Sequence, residues 1–105
     1  MSDRAGHDDR RGTVHLTGQL RCASRHEADL VRRHLPEHLC LMRAEPGCLA
    51  FDVAPTDDPL VWRVEEAFAD RAAFRVHQRR TRASAWWTAT ATIAREYRNT
   101  GLDPD

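Results

Sequence analysis

The hydrophobic period of this chain changes four times along its length, and the order of those changes leaves few folds open. From Thr13 to Cys22 the period is two, with Val14, Leu16, Gly18, Leu20 and Cys22 on one face and His15, Thr17, Gln19 and Arg21 on the other. That is the pattern of a strand buried on one side. Ser24 and Glu27 then have the spacing of a reciprocal helix cap. Behind it Ala28, Val31, Leu35, Leu39 and Met42 recur every three or four residues, predicting a helix of about 20 residues with one buried stripe. Pro36 lies inside that helix, so a kink or two abutting segments are expected there. Glu45-Pro46-Gly47 stops it.

Period two returns twice. Residues 48–55 form one strand, with Leu49, Phe51 and Val53 on a face, and residues 60–68 form the next, with Leu60, Trp62, Val64 and Phe68 on a face. Thr56-Asp57-Asp58-Pro59 joins them as a hairpin. Asp70 caps a second helix over 71–80, in which Ala73, Phe74 and His77 share a side. A polar link over 79–82, a short helix over 84–91 and a last strand over 92–98 complete the chain. The order β, α, β, β, α, β defines an α+β, ferredoxin-like sandwich, a four-stranded antiparallel sheet with helices on one face. Residues 1–12 carry no branched aliphatic or aromatic side chain and are expected to be a disordered tail, 13–98 the domain and 99–105 a C-terminal tail. Cys48, Ala50, Ala54, Val61 and Ala67 fall opposite the large residues of the hairpin, so neither of its faces is polar throughout. A second copy covering the sheet explains this, and a homodimer packed through the sheet is predicted.

Sixteen arginines balance sixteen acids, so the net positive field of a nucleic-acid-binding domain is missing. The run Arg79-Arg80-Thr81-Arg82 reads as a solvated connector. There is no run of about 18 apolar residues to cross a bilayer and no apolar stretch behind the charged N-terminus to act as a secretory signal, which predicts a cytoplasmic protein without a membrane partner. Cys22, Cys40 and Cys48 match neither a disulfide framework nor a metal-binding pair and read as small buried residues. His34-Leu35-Pro36-Glu37-His38 spells a zinc-protease signature, but Pro36 interrupts the helix on which two ligands must lie one turn apart. No metal is expected, and His34 and His38 should be partly exposed. No phosphate-binding glycine loop, nucleophile elbow or dinucleotide fingerprint occurs.

The run from Arg43 to Gln78, RAEPGCLAFDVAPTDDPLVWRVEEAFADRAAFRVHQ, carries an ordered set of features: Glu45-Pro46-Gly47-Cys48 entering a strand, Asp58-Pro59 in the hairpin, a glutamate at 65 or 66, and Asp70, Ala73, Phe74 and His77 in fixed spacing. In these it resembles the antibiotic biosynthesis monooxygenase family, a likeness that extends from Thr13 to Arg98 and includes quinol monooxygenase-like members. The resemblance implies a dimeric α+β barrel with a small apolar cavity between sheet and helices in each subunit. It also implies a cofactor-independent monooxygenase that uses O₂ on a quinol or a polyketide-type phenol. His77, on the sheet-facing side of its helix, is the expected catalytic base, because an imidazole can take a phenolic proton near neutral pH. Trp62, Phe74, Phe51, Phe68, Trp86 and His15 are the expected substrate-binding residues. Trp86 and Trp87 diverge by about 100° on a helix, so one should reach a pocket mouth or an interface. A dimeric binding or interaction module without turnover is the alternative. Haem binding or degradation is a further one, although the haem-degrading relatives carry an Asn on the first strand and a Trp ending the third, where this chain has His15 or Thr17 and Phe68.

Overall fold

The computed structural model describes residues 12–101, so all of the expected N-terminal tail but Gly12, and residues 102–105, lie outside the described residues. The elements are β1 (Val14–Arg21), α1 (Arg25–Arg43), β2 (Cys48–Pro55), β3 (Val61–Phe68), α2 (Arg71–Arg82), α3 (Ala85–Ala89) and β4 (Ala94–Thr100). The four strands form one sheet in the order β2-β3-β1-β4, with every neighbouring pair antiparallel. This is the βαββαβ ferredoxin-like arrangement, with the short α3 added before the last strand.

Local chemistry accounts for the ends of the helices. The Ser24 hydroxyl accepts from the Glu27 amide at 3.2 Å, while Glu27 Oε1 accepts from the Ala23 amide at 2.7 Å, closing the first turn of α1. Glu27 Oε2 also accepts from the Thr92 hydroxyl at 2.7 Å, tying that turn to the segment leading into β4. Backbone and hydroxyl donors hold the Glu27 carboxyl below its ordinary range. Asp70 caps α2 by accepting from the Ala73 amide at 2.7 Å.

Several expectations are corrected. α1 is one helix through Pro36 and not two segments, because proline removes only one hydrogen bond, at an exposed position, while Val31, Leu35, His38 and Met42 on either side are buried. α2 absorbs the supposed polar link up to Arg82, since Thr81 continues the stripe of Phe74 and His77 and its hydroxyl meets Met42 Sδ at 3.6 Å. β4 reaches Thr100, so residues 99 and 100 belong to the sheet. Cys48 pairs with Phe68 but Ala50 with Ala67, so Leu49 is the extra residue of a β-bulge. The bulge turns Leu49 outward, 60% exposed, and sets Cys48 partly buried against the core. Of the cysteines only Cys22 is buried, and Cys40 is exposed.

The core lies between the helices and the inner face of the sheet, where Leu16, Leu20, Phe51, Val53, Val64 and Phe68 meet Val31, Leu35, Phe74, Trp86 and Ile93. Burial on this scale, at about 25 cal/mol per Å² of apolar surface, is the main source of stability. The outer face carries exposed Thr17, Arg63, Glu65 and Asp52, and the Arg21–Glu96 ion pair at 2.8 Å, around buried Val61 and Ala67.

Gly18 fixes the spacing at the β4 edge. It pairs with Tyr97, and a methyl group in its place would overlap the Glu96 carbonyl oxygen and lie 2.6 Å from Tyr97 Cδ1. The absent side chain is what lets the Tyr97 ring lie against the sheet. Gly18→Ala should therefore lower stability by about 2 kcal/mol and displace β4, read as a lower urea midpoint and as shifted amide resonances confined to β1 and β4.

Candidate active site

Three segments far apart in sequence bring their acid–base groups together under the sheet. α2 turns Phe74, His77 and Thr81 inward on successive turns. In β3 the alternation that buries Trp62, Val64 and Phe68 also turns Glu66 inward. The third group comes from the turn after α1. Gly47 adopts φ +88°, and a Cβ there would come within 2.6 Å of the Ala73 Cβ, so only glycine lets this turn approach α2 so closely. That approach seats the Glu45 side chain beside His77.

His77 Nδ1 is 3.3 Å from Glu45 Oε1, and Nε2 is 3.4 Å from Glu66 Oε1 and 3.5 Å from the Thr81 hydroxyl. All three groups are buried: His77 is 5% exposed, Glu45 7% and Glu66 9%. Glu45 Oε2 has no hydrogen-bond partner among the described residues. The Glu45 contact is a hydrogen bond, Nε2 has Thr81 as its hydrogen-bond partner, and Glu66 lies within ion-pair distance of the same nitrogen. Aromatic rings fix the imidazole, with Phe68 at 4.5 Å, Phe51 at 5.4 Å and Phe74 at 6.1 Å between centroids.

The trio stands at a cavity of about 280 Å³, bordered by His77 and Glu66 but not by Glu45. Its walls are otherwise mainly apolar, with Leu16, Leu20, Val53 and Val64 from the sheet, Phe51 and Phe74 at the side, and Trp86 across from them. Trp87 and Arg95 also border it, with the guanidinium 5.0 Å from the indole centroid. Arg95 is held by donating to the Thr90 and Ile93 carbonyls, each at 3.0 Å, and to the Thr90 hydroxyl at 2.6 Å. Tyr97 closes the side along β4. Its ring is partly exposed, yet burial of the hydroxyl pushes its pKa up to about 12, so it remains a phenol at neutral pH.

His77, Phe51, Phe74 and Trp86 all border the cavity. Phe68 lies against the His77 ring, behind the cavity wall. Trp62 is on the inner face but does not reach the cavity. It pairs across the sheet with Leu20 and Pro55 at the far end of β3, and its buried indole nitrogen has no partner among the described residues. His15 is exposed on the other face of the sheet, as the alternation of β1 demands. Trp86 is buried while Trp87 is 37% exposed at the cavity, the divergence of adjacent helical positions.

His38 is the second correction of consequence. It is 3% exposed instead of partly exposed, and it borders the cavity with its ring stacked on Trp86, centroids 4.5 Å apart and planes 5° from parallel. It takes the inward place expected of Leu39, being three residues after Leu35 and four before Met42. Burial first, and then the positive fields of His77 and Arg95, push its pKa down to about 4. No group of three or more His, Cys, Asp or Glu side chains suited to a metal ion occurs among the described residues.

The geometry has the marks of a small-molecule site, with an apolar cavity, a few convergent polar groups and a buried acid–base cluster. The family model for antibiotic biosynthesis monooxygenases matches residues 13–89, and the chain belongs to that family. Solved structures of low identity share its fold. A cofactor-independent oxygenase from Streptomyces nogalater, SnoaB, is 13% identical with a TM-score of 0.68, over 85% of this chain and 91% of that one. A Caulobacter crescentus protein provisionally named an antibiotic biosynthesis monooxygenase is 16% identical with a TM-score of 0.67, over 95% and 98%. The Pseudomonas aeruginosa protein PA3566 is 20% identical with a TM-score of 0.68, over 85% and 92%. No curated protein matches the chain in sequence. No helix among the described residues is long and apolar enough to cross a membrane.

The depressed pKa of His38 has a consequence for stability. Between the ordinary value near 6.5 and about 4, the unfolded chain binds a proton at this residue that the folded chain refuses. Its contribution is complete above pH 6.5 and is lost on acidification through that window, by about 3 kcal/mol at pH 4. Urea unfolding at pH 7 and pH 4 should show that His38→Phe loses correspondingly less stability on acidification than the unsubstituted protein.

Proposed function

We propose that this protein is a monooxygenase of a small phenol or quinol, in which the substrate itself supplies the electrons that reduce O₂. One observation carries the reading: an acid–base cluster, Glu45–His77–Glu66, is buried at the wall of a mainly apolar cavity bordered by aromatic rings. Ionising a phenol makes its ring electron-rich enough to reduce O₂, and the cluster has the means to take that proton. Nε2 of His77 faces the cavity side through two long contacts, to Glu66 and Thr81, whereas Nδ1 is backed by Glu45. A base oriented from behind by a carboxylate is a recurrent arrangement for proton abstraction. The proton passes to His77 and is shared with Glu66. One oxygen atom of O₂ then enters the ring at an unsubstituted carbon and the other leaves as water, so a hydroquinone ends as a hydroxyquinone. The protein supplies dryness, orientation and the base.

The Streptomyces nogalater oxygenase, which shares the fold, works without a cofactor, and this supports the same economy here. Both nitrogens of His77 already face carboxylates, which argues against its serving as a haem ligand. We further propose a homodimer packed through the outer sheet face, where charges of both signs, Arg63, Glu65, Glu96 and Arg98, suit a two-fold copy. The free thiols of Cys22, Cys40 and Cys48 fit a reducing cytoplasm.

Oxygen uptake with hydroquinones and naphthalenediols, in the presence of a chelator, tests the reading. The unsubstituted protein should exceed the autoxidation background, His77→Ala should lose at least about a hundredfold of that rate, and Glu66→Gln should lose about tenfold. Uptake no faster than autoxidation throughout would leave a binding module, and a fully active His77→Ala would remove the base.

A further inference from the structure

Two arginines border the cavity, Arg82 at the end of α2 and Arg95 on β4. Neither has a carboxylate within ion-pair distance among the described residues. The acids nearest the cavity, Glu66 on its wall and Glu45 behind it, both lie against His77. For Arg82 an unpaired charge needs no ligand to explain it, since the side chain is exposed and the last turn of a helix favours a cation. Arg95 is different. It lies on a strand, half-buried, with its guanidinium 5.0 Å from the Trp87 ring centroid. Its hydrogen bonds go to the Thr90 and Ile93 carbonyls and the Thr90 hydroxyl, all of them neutral. These oxygens satisfy its N–H groups and leave its charge uncompensated, and a cation drawn out of water is costly until an opposite charge meets it. The charge is felt within the cavity, where burial, then His77, then Arg95 disfavour a proton on His38.

We propose that the substrate carries a carboxylate, which Arg95 receives together with Arg82 while its aromatic body lies against the apolar wall. This rests on the proposed function in taking the cavity as the substrate site, and it adds a negative charge to the substrate class. A guanidinium pairs with a carboxylate through charge-assisted hydrogen bonds and is less strongly hydrated than an ammonium, so it suits an ion pair at the edge of an apolar space. The Trp87 indole beside Arg95 is a further flat surface on which such a ligand can lie. The buried acids at His77 disfavour a second carboxylate beside them, so the ligand's charge is kept away from His77 and an uncharged edge of its ring is presented there. The chain as a whole has no net charge, so the preference is local to these side chains.

Calorimetric titration with 1-naphthoate and 1-naphthamide tests this, since the two are matched in ring and shape and differ in charge. At low ionic strength the unsubstituted protein should bind 1-naphthoate about tenfold more tightly than 1-naphthamide, and the preference should shrink at about 0.5 M salt. In Arg95→Gln, 1-naphthoate should fall to the affinity of 1-naphthamide, while Arg95→Lys should keep part of the difference. Arg95 also holds residues 90 and 93, so an unchanged 1-naphthamide affinity serves to show that the cavity is intact. Arg82→Gln, at an exposed position, should weaken 1-naphthoate about threefold and leave 1-naphthamide within twofold. Equal affinity of the unsubstituted protein for the two ligands, or a 1-naphthoate preference unchanged in both glutamine variants, overturns the proposal. Failure of both ligands to bind overturns it as well, whereas the monooxygenase reading stands or falls separately on oxygen uptake.

Discussion

Two acidic side chains and an imidazole are buried side by side, and much of the fold bears on the cost of putting them there. Removing any one partner from such a cluster strands the others, whose desolvation is no longer offset. The cluster is also assembled entirely from non-local parts, a turn, a strand and a helix, so it forms only when the sheet and helices have packed. At Gly47 a side chain would collide with Ala73, and the turn that its absence permits holds the one member of the trio that lies outside regular structure. The aromatic rings around His77 then give the imidazole one orientation, so that the apolar core and the polar cluster constrain each other.

The elements themselves were legible because their periods are clean. The alternation of β1, the cap at Ser24 and Glu27 and the cap at Asp70 each have a local cause that acts whatever the rest of the chain does. His77 was legible for the same reason, since Phe74 fixes the inward side of its helix. Glu66 is in phase with Trp62, Val64 and Phe68, so period two alone places it inward, but a reading that tracks apolar residues passes over a carboxylate in an apolar row. His38 was hidden in the same way, because Leu39 beside it is the more obvious member of the stripe. Glu45 had no periodic signal at all. Its direction depends on the positive φ of Gly47 and on the neighbouring helix, neither of which spacing reveals. The bulge at Leu49 is likewise a tertiary decision, visible only in the pairing of β2 with β3.

The polar atoms around the cavity fall into two kinds. Arg95 is spent on its own scaffold, with three hydrogen bonds to residues 90 and 93 and a stack on Trp87, so it shapes the cavity while most of its donors are already committed. Glu45 does not border the cavity and is directed at His77. His38 contrasts with both, being held by ring faces alone.

Tyr97 and Arg95, which close one side of the cavity, are carried by β4, and β4 pairs with the sheet along one edge only. A strand anchored on a single side opens at lower free energy than the centre of the sheet, because only one ladder must part. β2, which carries Phe51 and Val53, is the other edge of the sheet, so two opposite walls of the cavity each rest on a single ladder. Gly18, facing Tyr97 across the ladder between β1 and β4, tunes how tightly that edge is held.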